Sequence, residues 1–352
     1  MRKLGWKGLL GFAISAGLIW YTLKDDSLVD IWHQIRSANF LLLGAAIFVA
    51  TFGFFIRALR WKVLLAPVDP NTSLRARFAA VNIGFMANNL LPARMGEFAR
   101  AISFAKLQPS VTASAAFGSL VVERVLDGLV LAAMLVITVL LPSFPDVEMG
   151  DGFTALLKTA VTLLGGIAVF LIILLAFPNP VVRTMEKLAR RLPEKIGTIL
   201  VEALEAFLGS LEVVKSPRLL SLAVLWSVGF WVWHGFSFYL GMLAFDIDVG
   251  LVAAFFTEAA VGFGVALPAA PGFFGTFHAT VAFALETVHH VDATKTLAFA
   301  YGYHLGGFIP VTLIGLWYAR QLGMSLSDVG HADEELEGAL EKEVGLPPEG
   351  DR

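Results

Sequence analysis

Residues 78–106, FAAVNIGFMANNLLPARMGEFARAISFAK, hold the reading on which the fold turns. The first half, to Leu91, is apolar enough to enter a bilayer, yet Asn82, Asn88, Asn89 and Pro92 interrupt it. Basic residues flank the stretch at both ends, which places both ends on the cytoplasmic side. A broken apolar segment that starts and finishes on one side reads as a re-entrant hairpin. Pro92 suits the first turn of a helix, where its missing N–H is no loss, and Asn88 or Asn89 can accept from the free N–H groups there. The returning arm then begins at depth. Arg94, Glu97 and Arg100 are spaced by three, so they share a helical face, and Glu97 can pair with either arginine. A surplus arginine beside a helix N-terminus favours phosphate, because the guanidinium fork matches the oxygens and the helix end adds partial positive charge. Asn88, Asn89, Pro92, Arg94, Glu97 and Arg100 are therefore candidate substrate-binding residues. The alternative is a surface salt bridge, if the segment lies shallower.

Outward from this hairpin, the chain reads as membrane protein. It is 57% hydrophobic and only 16% charged, with mean hydropathy +0.73, which excludes an ordinary soluble domain. Uninterrupted apolar runs at 4–23, 156–177 and 219–245 approach the roughly 20 residues of a spanning helix. There is no cysteine, which excludes disulfides and thiolate chemistry. Arg2, Lys3 and Lys7 precede the first run as in a secretory signal, but Trp20 to Lys24 offer no small-residue cleavage site, so the segment reads as a retained span. Lys and Arg gather at 1–7, 57–77, 183–218 and Arg320, which are assigned to the cytoplasm, whereas 142–152 and 246–250 carry acids without a base and are assigned outside.

These assignments predict an all-α, polytopic bundle in the cell inner membrane with both termini cytoplasmic. About six full spans are expected, at 4–23, 39–59, 110–141, 155–177, 218–244 and 296–318. Residues 25–38 read as an outer interfacial helix with Leu28, Ile31, Trp32 and Ile35 on one face, and 180–217 as an amphipathic segment on the inner face. Residues 1–323 form the membrane domain, and 324–352 an acidic tail expected to be disordered or a loose cytoplasmic helix.

A second segment breaks the count. Residues 250–288 start and end outside and are interrupted at 267–276, LPAAPGFFGT, by Pro268, Pro271, Gly272 and Gly275. Thr276 is a plausible cap, with His278 in the next first turn. The order span, hairpin, span thus occurs twice in opposite orientation, an inverted-repeat arrangement that points to a transport site near the midplane; two ordinary kinked helices are the alternative. Within the span 110–141, Glu123, Arg124 and Asp127 share a face and need a partner, for which the hairpin arginines are candidates. This trio is read as either a structural ion-pair network or a proton-handling group. Glu258, His278 and His304 are further proton-coupling candidates, weighed against ordinary hydrogen-bonded roles. No phosphate-binding GxxxxGK[ST], HExxH or Gly-x-Ser-x-Gly occurs, so no catalytic residue, metal or cofactor is assigned and no nucleic acid is expected.

The ordered set NNLLPARMGEFAR, VERVLDGL, LPAAPGFFGTFHATV and YGYHLGGFIPVTLIG resembles the membrane domain of the lysylphosphatidylglycerol synthase superfamily, also called flippase-like, up to about Arg320. The resemblance implies a domain that accommodates or translocates lipid. It carries over onto Asn89, Pro92, Arg94, Gly96, Glu97, Arg100, Glu123, Arg124, Asp127, Pro271, Gly272 and Gly275, and adds Gly96, Pro271, Gly272 and Gly275 to the candidate substrate-binding residues. His278 stands where many relatives have a glutamate, and the chain beyond Arg320 is too short for the soluble aminoacyl-transferring domain, so lipid aminoacylation is not expected. The expected function is movement of an anionic phospholipid, aminoacyl-phospholipid or polyprenyl-phosphate headgroup across the bilayer without enzymatic chemistry. Two alternatives stand beside it. One is a membrane-embedded glycosyl- or phosphotransferase using Glu97, Glu123 or Asp127, and the other an accessory subunit for a lipid-modifying or glycosyltransferase enzyme.

Overall fold

The computed structural model describes residues 6–146, 216–267 and 269–343, with scattered positions between 154 and 187. The span expected at 155–177, the amphipathic segment at 180–217 and Pro268 therefore lie wholly or largely outside the described residues. Within them the chain is all helix, in twelve α-helices. The first seven are α1 Trp6–Leu23, α2 Leu28–Ser37, α3 Phe40–Leu65, α4 Leu74–Leu90, α5 Gly96–Leu107, α6 Ala113–Leu140 and α7 Pro217–Ala244. They are followed by α8 Gly250–Gly264, α9 Thr276–Ala282 with a π-helical continuation Phe283–Val288, α10 Ala293–Gln321, α11 Leu326–Gly330 and α12 Ala332–Glu343.

Three of these, α3, α7 and α10, are long and apolar enough to cross a membrane, and Leu10–Leu23 and α8 are shorter apolar helices. The 28 residues of α6 are also long enough, but Glu123, Arg124 and Asp127 interrupt its hydropathy. Short polar residues start the long helices. Asn39 Oδ1 accepts from the amides of Leu41 and Leu42, Thr112 Oγ1 from Ala115, Ser216 Oγ from Leu219 and Asp292 Oδ1 from Lys295. Outside the bundle, Asp69 ties the α3–α4 loop to the α5–α6 turn, and its hydrogen bond from Ser110 holds its carboxyl below the usual carboxylate range.

The order long helix, broken hairpin, long helix appears twice, as α3, α4–α5, α6 and as α7, α8–α9, α10. The units exchange partners: α3 packs on α7, α4 lies against α10, and α8 lies against α6. Both expected breaks are present. Leu91 is extended, as the residue before a proline must be, and Pro92–Arg94 make one 3-10 turn. In the second break Ala270 is extended before Pro271, and Gly272 (φ 69°) and Gly275 (φ 90°) take backbone angles that favour glycine. The two turns touch each other. The second also docks on α1, where Ser15 Oγ accepts from the Ala270 amide at 2.7 Å and a Cβ on Gly275 would lie 2.7 Å from the Ser15 carbonyl oxygen.

Tight backbone contact closes the first hairpin. A Cβ on Gly84 would sit 2.7 Å from the Gly96 carbonyl oxygen, and one on Gly96 would collide with the Gly84 carbonyl and the Asn88 amide. Gly96→Ala is therefore expected to cost about 1–3 kcal/mol, read as a lower thermal midpoint of the detergent-solubilised protein. An unchanged midpoint would mean that α4 and α5 separate easily.

Three expectations are corrected. The returning arm starts at Gly96, not Pro92, because Arg94 is in the left-handed region (φ 55°); Arg94 consequently leaves the face shared by Glu97 and Arg100. In α2, Ile31 is buried against the bundle while Leu28 and Trp32 are exposed, so the four apolar residues do not act as one membrane-facing set. The acidic tail is helical at Leu326–Gly330 and Ala332–Glu343 and packs on the bundle as far as Ala339. Met324, Val329, Ala332 and Leu336 are buried with Ile83, Ala99 and Ile102, and Lys106 pairs with Glu335 at 2.9 Å. Composition hides this, because four small or apolar side chains suffice to dock a helix whose other faces are acidic.

Candidate functional site

Four arginines and two carboxylates meet inside the bundle. Arg100 of α5 donates Nη1 and Nη2 to the two oxygens of Glu123 at 2.8 and 3.0 Å. Arg124 donates to Glu123 Oε1 at 2.7 Å, and Arg60 Nη2 lies 3.1 Å from the same oxygen. Asp127 accepts from Arg60 and from the indole Nε1 of Trp231 at 2.9 Å, with Arg57 Nη1 3.4 Å away. Aromatic faces cover the cations: Arg57 sits 3.9 Å over Phe230 and Arg100 3.9 Å over Trp61. Charges are tolerated in such surroundings only when paired and hydrogen-bonded, and these are. The sequence expectation that a hairpin arginine partners the α6 acids holds for Arg100 and not for Arg94. Sequence reading misses Arg57, Arg60 and Trp231. It counts both arginines in the basic cluster 57–77 assigned to the cytoplasm and ends the span at 59, whereas α3 runs on to Leu65 and buries them. Their spacing of three on an apolar helix, close to the spacing of four between the α6 acids, is the available signal.

Beside this network, where the two breaks meet, lies a cavity of about 480 Å³. Arg57, Arg94, Arg100 and Arg124 reach its lining, as do Asn88, Asn89, Gly96, Glu97, Asp127 and Glu258. Among the described residues, Arg94 is the cavity arginine with no carboxylate within salt-bridge distance. Its Nη1 donates to the carbonyls of Val265 and Ala266 at 3.3 and 3.1 Å, at the C-terminal end of α8, and its guanidinium lies 5.6 Å from the Phe273 ring. The remaining N–H groups of its fork are free to bind an anion. Glu97 forms no ion pair with Arg94 or Arg100, contrary to expectation, since Arg100 turns to Glu123 and Arg94 to the facing hairpin.

Asn88 Oδ1 accepts the amide of Gly96 at 2.8 Å and so caps α5, as expected of one of the two asparagines. Asn89 Nδ2 instead donates to Thr312 Oγ1 of α10 at 2.9 Å. Pro92, Pro271, Gly272 and Gly275, expected among the substrate-binding residues, shape the breaks and do not line the cavity, whereas Gly96 does.

On the opposite wall, Glu258 is 3% exposed and its Oε1 lies 2.9 Å from His234 Nδ1 of α7, while Oε2 has no partner among the described residues. Sequence reading does not single out His234, because it sits in an otherwise featureless apolar run. His304 lines the cavity with its ring stacked 4.3 Å from Phe277. His278 lies behind, accepting from the Gly275 amide and stacked on Tyr301 at 4.0 Å, which ties it to the second break.

Compared with known proteins, the sequence matches the family described as "Lysylphosphatidylglycerol synthase TM region" over residues 8–315. No curated protein and no solved structure matches the chain.

Proposed function

Because the chain belongs to the lysylphosphatidylglycerol synthase transmembrane-region family, we propose that it moves an anionic lipid across the bilayer without covalent chemistry. The phosphate of a phospholipid, aminoacyl-phospholipid or polyprenyl-phosphate enters the cavity between the broken hairpins while its tails remain in hydrocarbon. One observation carries this reading: Arg94, unpaired by any acid among the described residues, is held at the meeting point of the two breaks and beside the N-terminus of α5. A guanidinium fork and a helix N-terminus together favour phosphate. In this reading α1, α3, α6, the apolar stretch 155–177, α7 and α10 cross an inner membrane with both termini cytoplasmic. The α4–α5 and α8–α9 hairpins enter from opposite sides, and movement consists of the two exchanged units rocking about the cavity. Glu123 and Asp127, two of the three acids a transferase could use as base or metal ligand, are occupied by arginines, which leaves Glu97 as the acid that the transferase reading would need.

The test is reconstitution into liposomes with fluorescent phosphatidylglycerol and following its appearance in the opposite leaflet. Movement faster than in protein-free liposomes is expected. Equal rates would overturn the reading, and product formed from a sugar-nucleotide donor would replace it with the transferase.

A further inference from the structure

The carboxyl of Glu258 is the least explained group in the bundle. It is almost wholly buried, it lines the cavity, and one of its oxygens has no partner among the described residues. A buried carboxylate oxygen without a donor is costly, and a bound proton removes that cost. Its single partner, His234, is better placed to meet water: the imidazole side chain is 24% exposed and touches the carboxyl at 2.9 Å, giving a wet group and a dry group in direct contact.

Among the groups on the helices packed against α8 and on the facing α10, this pair is left as the proton site. Of the helices packed on α8, α6 contributes Arg124 and Asp127, which are already paired with each other and with neighbouring charges. From α7 comes His234 itself. His278 of α9 and Glu286 of its π continuation do not line the cavity, and across it α10 adds Tyr303, bonded to Ser237, and His304, stacked on Phe277. Counting the cavity and the network bonded to it, Arg57, Arg60, Arg94, Arg100 and Arg124 face Glu97, Glu123, Asp127 and Glu258, leaving one positive charge. Protonating Glu258 doubles that surplus, so a proton and a headgroup anion bound in the same cavity each favour the other, and the effect is reciprocal.

We propose that Glu258 and His234 form a proton-binding pair linked to the headgroup site, so that the anion is taken up and carried together with a proton. This deepens the lipid-moving reading and rests on it. Carrying both species cancels the charge that would otherwise move against the membrane field.

The probe is a short-chain phosphatidylglycerol, whose phosphodiester keeps one negative charge across the range in which histidine and buried carboxyls titrate. Its binding to the detergent-solubilised full chain is followed by calorimetry as a function of pH, with proton uptake read by an indicator dye in weak buffer. Wild type is expected to bind up to about tenfold more weakly per pH unit above ionisation of the pair, and to take up about one proton per lipid. Glu258→Gln, which fixes the neutral form, is expected to show a flat pH profile and no uptake. Should that variant not fold, His234→Gln and the infrared carboxyl-stretch band of the wild type, expected to grow on lipid binding, decide the same question. A flat wild-type profile, or a Glu258→Gln protein with the wild-type slope, overturns the coupling and leaves the headgroup site standing. Absence of phosphatidylglycerol binding at every pH overturns both.

Discussion

Glu123→Gln is expected to lower stability by about 3–5 kcal/mol, the scale for removing one partner from a buried charge cluster. Glu123 is fully buried and has four guanidinium groups within 4 Å, at 2.7 Å for Arg124, 2.8 Å for Arg100, 3.1 Å for Arg60 and 3.6 Å for Arg57. Without its charge, the same arginines are opposed by Asp127 alone, three of them almost wholly buried. The amide fills the same volume, so the loss is electrostatic and not a packing defect. Arg124→Gln should cost far less, since its side chain is 38% exposed and one positive charge departs from a cluster that has a surplus. The measurement is the fraction of each detergent-solubilised variant that remains monodisperse after a thermal ramp. A Glu123→Gln midpoint equal to wild type would show that the cluster is hydrated and that its ion pairs are incidental.

Arg94→Ala is expected to behave in the opposite way, folding as wild type and losing transport. The side chain is exposed to the cavity and forms no ion pair among the described residues, so its removal strands no charge. Charge-assisted hydrogen bonds to phosphate are worth about 1.5–3 kcal/mol, which corresponds to roughly 10- to 100-fold in the rate of phosphatidylglycerol movement. Arg94→Lys should recover only part of this, because an ammonium keeps the charge and loses the fork that spans the Val265 and Ala266 carbonyls on one side and an anion on the other. Arg100→Ala should instead resemble Glu123→Gln, as it breaks the bidentate pair. Wild-type transport by well-folded Arg94→Ala would remove Arg94 from the site.

What sequence can and cannot reveal follows from the range of the interactions concerned. The breaks at Pro92 and at Pro271, Gly272 and Gly275 are local: a missing N–H, a constrained preceding residue or a positive φ acts within a few positions, so both are legible. So is the pairing of a hairpin arginine with α6, because an unbalanced intramembrane charge demands a partner of known sign. The start of α5 is not, since Arg94 takes a left-handed backbone that no rule about arginine anticipates. Arg57 and Arg60 are misplaced for a different reason. A count of basic residues near a helix end treats every Lys and Arg as solvated, and burial depends here on an acid 67 residues further along the chain. His234 and its contact with Glu258 likewise exist only once α7 and α8 lie side by side.

The contact between α1 and the second break bears on how the protein is made. Gly11 and Ser15 are synthesised some 255 positions before the backbone they seal, at Ala269, Ala270 and Gly275. That helix must therefore wait with its small-residue face uncovered while the intervening chain is made, and the contact closes only when an early segment docks onto a much later one. A quality-control protease or a stalled insertion intermediate would meet that uncovered face, and a bulky residue at Gly11 would leave newly made protein inserted but unable to close.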